Sequence, residues 1–345
     1  MDNSNDRFDY GNGGFSERPA KRRVNWLGLA LMLIVLGGIM ASAAWMFGAR
    51  GGVIAWDGGP VFFASPAESV QTHTVTVSPQ NINELRVDAS SARIRILQNH
   101  HGGNFEIEFV NLEPNYTVSG NRLLVDARPD AGIRGGFNLF GGGFGGHAVN
   151  LYVPVGMEFD VTLESSSGGV LVEHPFFNSL GIRSSSGSII LGPAEVMGRL
   201  SLSSSSGRIT AENIAAPNGE FSSSSGSIIV SNSRWGNLYV SSSSGRQEIT
   251  NNAWTNLEAS SSSGRISIEA AEILPPPGST NISASSGGVS LAVLGRESDF
   301  SYNLSSTSGS RRVNGVNMDS SVNRSGNLHD ISIRTTSGSI RLDFE

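Results

Sequence analysis

Hydroxyls are the most abundant chemistry in this sequence. Ser-Ser-Gly or a close variant ends at Gly168, Gly187, Gly207, Gly226, Gly245, Gly264, Gly287, Gly309 and Gly338. A serine becomes a nucleophile only beside a general base, and nothing in the chain supplies such a base for every copy of one motif. The six histidines, His73, His100, His101, His147, His174 and His329, share no ligand spacing. Glu164, Glu173, Glu212, Glu220, Glu248, Glu258 and Glu269 are scattered over several columns of the repeat, whereas polysaccharide-cleaving β-helices need carboxylates converging with a second carboxylate, arginine or calcium. The absence of cysteine removes thiol catalysis, disulfides and thiolate zinc sites. A calcium β-roll would need aspartate in each glycine-rich turn, and SSSG has none. The expectation is a chain that is not an enzyme, with no catalytic residue, metal or cofactor; a polysaccharide-active β-helix enzyme is the runner-up.

The elements that carry these serines are strands. The first six motif glycines are 19 or 20 residues apart. Counting from each glycine, apolar residues stand at −7 and −5 (Leu180/Ile182, Leu200/Leu202, Leu238/Val240) and at +2 and +4 (Ile189/Leu191, Ile228/Val230, Ile266/Ile268). Period-two alternation on both sides predicts two half-buried strands joined at a corner. The glycine is expected to turn that corner through positive φ. A second corner is predicted at Asn213, Asn232 and Asn251, where asparagine suits a left-handed turn. A third side follows at Phe177, Val196, Ala216, Trp235, Trp254 and Ile273.

One such period closes one coil, so the fold class is all-β: a single-stranded β-helix, a β-solenoid of right-handed winding. A propeller blade needs about twice that length. The inward hydroxyls at −3 and the serines at −1 read as scaffold, bonded to backbone or to each other. In LRVDASSARIRI, Ala92 takes the glycine place, so the solenoid starts before the serine runs. Irregular rungs are expected over 72–160 and regular ones over 161–345. The chain ends at Leu342–Glu345 directly after a strand, which suggests a bare end rung open to self-association.

Residues 26–47 form an uncharged apolar run about as long as a helix needs to cross a bilayer. Arg18, Lys21, Arg22 and Arg23 precede it and only Arg50 follows, which predicts a cytoplasmic N-terminus and an exported C-terminal part. Ala41-Ser42-Ala43 resembles a signal-peptide cleavage site, but the apolar run continues past it, so one transmembrane α-helix over 25–48 is preferred. The expected organisation is a disordered cytoplasmic tail over 1–24, the helix in the lipid bilayer, a linker over 49–71 and a β-helix ectodomain over 72–345. The expected location is a bacterial cell membrane, single-pass. A net charge of −6 argues against nucleic acid.

The span, the segment LYVPVGMEFDVTLESSSGGVLVE and the successive SSSGxI units together resemble a bacterial β-strand-repeat family of unknown function, often labelled "putative adhesin". The likeness covers roughly residues 72–345. It implies an extracytoplasmic β-helical domain, often membrane-tethered and sometimes linked to envelope stress or surface attachment. The family offers no agreed catalytic residues, and the insertion GGFNLFGGGFGG at 135–146 departs from its pattern.

Three features are candidates for binding an envelope protein or glycan. Trp235 and Trp254 stack on adjacent rungs, either filling the core or forming a platform for sugar or peptide. Leu171, Ile190 and Ile229 at +3 form an outward apolar stripe, covered by the N-terminal segment or by a partner. Phe137, Phe140 and Phe144, with Leu139, mark a loop that is either a plain insertion or a contact with membrane or partner.

Overall fold

The computed structural model describes residues 70–100, 102–128, 146–275, 278–318, 322–325 and 329–345. The expected tail, transmembrane helix and most of the linker lie outside them. Among the described residues the only helix is the 3-10 turn Glu297–Asp299, and no helix is long and apolar enough to cross a membrane.

The repeat folds as coils stacked in register. Each regular coil sends one strand into the Ser-Ser-Gly corner and one out of it. Strands running in pair in parallel as one ladder, the Ser sheet, with Val161, Leu180 and Leu200 abreast. Strands running out form the Ile sheet, with Val170, Ile189, Ile209 and Ile228 abreast. These inward side chains are all but fully buried. The predicted third side is also in register, with Ala216, Trp235 and Trp254 abreast and Ile273 next.

The two corners work by different physics. Asn213, Asn232 and Asn251 do sit at positive φ, 58°, 53° and 54°, as predicted. The motif glycines do not: among the described residues the positive-φ glycines are Gly120, Gly156, Gly295 and Gly315. Glycine is needed at the Ser-Gly corner because successive rungs touch there. A Cβ on Gly226 would lie 2.0 Å from the carbonyl oxygen of Gly207. Ala92 stands in the glycine place of the rung 84–99 and is fully buried.

Both ends depart from chain order. In the Ser sheet Glu84–Ala89 lies between Arg122–Ala127 and Asp160–Ser165. In the Ile sheet Arg93–Asn99 lies between Ala148–Pro154 and Val170–Glu173. The first rung of the chain is therefore second in the stack. The last behaves likewise: His329–Thr335 lies between Ser279–Ala284 and Phe300–Ser306, and Ile340–Phe344 between Val289–Val293 and Arg311–Val313. Antiparallel strands close each outermost rung. At the N-terminal end these are Tyr116–Ser119 on one sheet, and Phe105–Val110 followed by Thr72–Val77 on the other. At the C-terminal end they are Val322–Arg324 and Val316–Met318.

Two expectations need correction. Within the irregular rungs expected over 72–160, Thr72–Val77, Phe105–Val110 and Tyr116–Ser119 are antiparallel covers rather than rungs. The chain end at Leu342–Glu345 is no bare end rung either, because strands pair with it on both sides.

Candidate interaction face

The hydroxyls sort into two populations. Those at −3 point inward, and several bond the corner backbone: Ser165 Oγ donates to the Gly168 carbonyl at 2.8 Å, Ser242 Oγ to the Gly245 carbonyl at 2.9 Å, and Ser204 Oγ accepts from Gly207 N–H at 2.9 Å, whereas Ser184 and Ser223 Oγ are buried without a hydrogen-bond partner among the described residues. Between rungs, the Ser242 and Ser261 hydroxyls lie 3.4 Å apart and Ser306 Oγ donates to the Gly338 carbonyl at 3.1 Å. Those at −2 and −1, such as Ser205/Ser206 and Ser224/Ser225, are exposed, and their backbone bonds the rung beside them, Ser225 N–H to the Ser205 carbonyl at 2.9 Å. Among the described residues no histidine hydrogen-bonds a corner hydroxyl.

Trp235 and Trp254 are 1% and 0% exposed, which removes them as a platform. Their burial is arranged by their neighbours. Gly219 holds an inward place where adjacent rungs have Leu200 and Leu238, and a Cβ on it would lie 2.5 Å from the Trp235 ring. Trp235 Nε1 donates to Asn252 Oδ1 at 3.0 Å and Trp254 Nε1 to Thr280 Oγ1 at 2.9 Å, so each indole N–H is satisfied inside the core.

Leu171, Ile190 and Ile229 do face outward. They stand in one straight row of the Ile sheet with Thr210, continued by Glu248 and Ser267. Ile190 is 46% exposed. Alternation places Arg208, Arg246 and Arg265 along one side of that row and Glu173, Glu212 and Glu269 along the other, all six exposed. The row is apolar at Leu171, Ile190 and Ile229; beside these the first column has Gly169, Ser188 and Ser227, with Arg208 beside Thr210, and the other column alternates glutamate with small residues, while Arg246 pairs with Glu248 of the row itself at 2.8 Å. Nearer the N-terminal end, Glu108 Oε2 accepts from Asn150 Nδ2 at 3.0 Å and from Tyr152 Oη at 3.1 Å; burial, then Glu108, raises the Tyr152 phenol above its ordinary value. Phe137, Phe140 and Phe144 lie outside the described residues.

Sequence reasoning missed several buried polar groups. Gln247 replaces isoleucine in its inward column, is fully buried, and donates from Nε2 to Ser242 Oγ at 3.0 Å. A second asparagine ladder runs Asn218, Asn237, Asn256, with Nδ2 to Oδ1 bonds of 2.9 Å at each step; the 19-residue spacing of these asparagines was there to be read. His174 and His329 are buried. His174 packs against Phe159 and Phe177, its Nε2 3.1 Å from the Met157 carbonyl, and burial lowers its pKa. His329 Nε2 lies 2.9 Å from Thr280 Oγ1, and burial lowers its pKa to about 4. Among the described residues no three His, Asp or Glu side chains gather into a metal-binding cluster.

Comparison with known proteins places this architecture. The chain is similar to a "putative lipid binding protein" from Parabacteroides distasonis at 18% identity, covering 80% of this chain and 97% of that one, with a TM-score of 0.49. It is similar to a "putative adhesin" from Parabacteroides merdae at 14% identity, covering 80% and 97%, with a TM-score of 0.44. It is also similar to a "putative adhesin" from Bacteroides fragilis at 14% identity, covering 80% and 98%, with a TM-score of 0.38. No curated protein matches. Residues 70–343 match the family described as Toastrack DUF4097, and the chain belongs to that family.

Proposed function

We propose that the chain is a non-enzymatic scaffold of the bacterial cell envelope. It is held in the membrane by residues 25–48 with its N-terminus cytoplasmic, and it presents the outer face of the Ile sheet to an envelope protein or glycan, for attachment or sensing. The observation that carries this reading is the straight outward row Leu171, Ile190, Thr210, Ile229, with Arg208 exposed on one side of it and Glu173 and Glu212 on the other. Apolar side chains in one outward row have no use in the core, and opposite charges on its two sides fix the direction in which an extended partner lies. A rigid ladder suits this role, because little ordering entropy is lost on binding.

The test uses the full chain and isolated cell envelopes. Replacing Ile190 and Ile229 together by Glu is expected to reduce retention of the chain on envelopes about tenfold, with the unfolding midpoint unchanged because both side chains already face water. Undiminished retention would remove this face from consideration. Deleting 25–48 is expected to move the chain from the membrane pellet to the supernatant.

A further inference from the structure

The outward row of the Ile sheet does not stop at Leu171. On the strands beyond it the row continues through Arg95, Asn150 and Glu108, one abreast of the next. Glu108 Oε2 accepts from Asn150 Nδ2 at 3.0 Å and from Tyr152 Oη at 3.1 Å, and this settles the Asn150 amide, because turning it over would set Oδ1 against a carboxylate oxygen. Asn150 Oδ1 therefore faces away from Glu108. It is buried, on a residue only 9% exposed, and no donor meets it among the described residues. On the adjacent strand Arg95 Nε is buried as well and meets no acceptor, and among the described residues no hydrogen bond or ion pair holds the Arg95 side chain. A donor and an acceptor both withdrawn from water and both unpaired are costly, and a ligand group that satisfies the two together recovers that cost. We propose that Arg95, Asn150 and Glu108 form a binding site for a neutral glycan, which anchors it at the polar end of the apolar row.

The two unpaired groups select the chemistry of the ligand. Arg95 Nε–H needs an acceptor and Asn150 Oδ1 needs a donor, and a hydroxyl is both on one atom. A carboxylate or phosphate oxygen would suit Arg95, but it would bring a second acceptor to Asn150 Oδ1 and a negative charge beside Glu106 and Glu108. An ammonium would suit Asn150 and Glu108 and would be repelled by Arg95. Glu108 keeps Oε1 for a second hydroxyl, so a vicinal diol fits better than a lone alcohol. Leu97, two residues along the strand from Arg95, and Leu171, abreast of it, are both half-buried and offer the C–H face of a sugar ring an apolar support. Past Leu171 the row goes on to Ile190, and strands about 4.8 Å apart nearly match the advance of one β-1,4-linked pyranose. A linear chain held by one sugar at Arg95 and Asn150 thus lies along the row with one unit to each rung. The assignment rests on the Ile sheet being the interaction face, and adds which partner that face takes and where it is held.

The test titrates the full-length chain in detergent, by calorimetry, with cellotetraose, chitotetraose and cellotetraose oxidised to its uronate. One of the two neutral sugars is expected to bind at least about tenfold tighter than the uronate, in high salt as in low, because the site is built to pair hydroxyls. Arg95→Lys keeps the positive charge and has no N–H at the Nε place, and it should weaken that binding about tenfold. Asn150→Ala should do the same, and the unfolding transition of each variant shows that it is folded; Arg95→Lys carries the test alone if Asn150→Ala does not fold. Binding of neither neutral sugar, tighter binding of the uronate, or undiminished binding by a folded variant would overturn the site. The interaction face stands or falls separately: envelope retention lost in the Ile190→Glu, Ile229→Glu chain together with no sugar binding would keep the face and remove the glycan, whereas retention undiminished in that chain would remove the face even where the sugar binds.

Discussion

The middle of the stack and its two ends are stabilised in opposite ways. A middle rung such as 234–250 meets near-copies of itself above and below. Backbone ladders and the Asn218, Asn237, Asn256 column therefore bond rung to rung, and the side chains of a rung need not be unique. The end rungs meet antiparallel covers and crossing segments, and there the chain relies on single residues. Glu297 takes hydrogen bonds from Tyr302 Oη at 2.7 Å and Asn314 Nδ2 at 2.8 Å and pairs with Arg324, tying the outermost strand, its corner and its cover together. His174 and His329 occupy the two end regions, and no described middle rung from 199 to 261 contains a histidine. Repetition stabilises what has like neighbours; an end has to be built from particulars.

That contrast can be broken at the Ser-Gly corner, where the largest effect is expected. Gly226→Ala forces a Cβ onto a neighbouring carbonyl in the middle of the stack and should lower stability by about 3 kcal/mol or more in urea unfolding. Ala92→Gly, at the end, should change it by less than about 1 kcal/mol. Equal losses would erase the distinction. Acid should separate the regions next. Both buried histidines have lowered pKa values, so their contribution is intact above pH 6.5 and declines as pH falls, by up to about 3 kcal/mol for His329 near pH 4. Amide exchange at pH 5 is expected to accelerate in 160–177 and 329–345 before 199–261; simultaneous acceleration would count against it. Glu297→Gln should cost about 1 kcal/mol, seen as faster exchange at 300–324 with the middle rungs unaffected. The smallest change is a gain. Ala270 holds φ of 50° where the corresponding corner of earlier rungs has asparagine, so Ala270→Asn should stabilise by about 0.5–1 kcal/mol.

The middle was legible in the sequence because each rung poses the same physical problem. Leu238, Val240 and Ile228 announced their inward positions through period two, and Asn232 and Asn251 their left-handed corner. The glycine column was legible as a fact, but its cause was misread: a turn was inferred where rung-to-rung contact decides, since one rung read alone contains no neighbour to collide with. The stripe at Leu171, Ile190 and Ile229 followed from alternation, whereas the tryptophans needed their partners, Gly219 and Thr280, before burial could be told from display. The order of the end rungs was not legible. Ile331, Ile333, Ile340 and Leu342 carry the same pattern as any other rung, and pattern specifies which face is inward without specifying which neighbour a strand meets.

Stacking order has a practical meaning once the coils 84–99 and 329–345 are known to be interior layers. Removing residues 329–345 would excise an interior layer and leave the one beyond it, 300–313, without that neighbour. Lengthening obeys the same rule. Chain order and stacking order agree only between about residues 160 and 293, so that stretch is where coils can be duplicated or lost by simple insertion or deletion, and both flanks must be inherited whole.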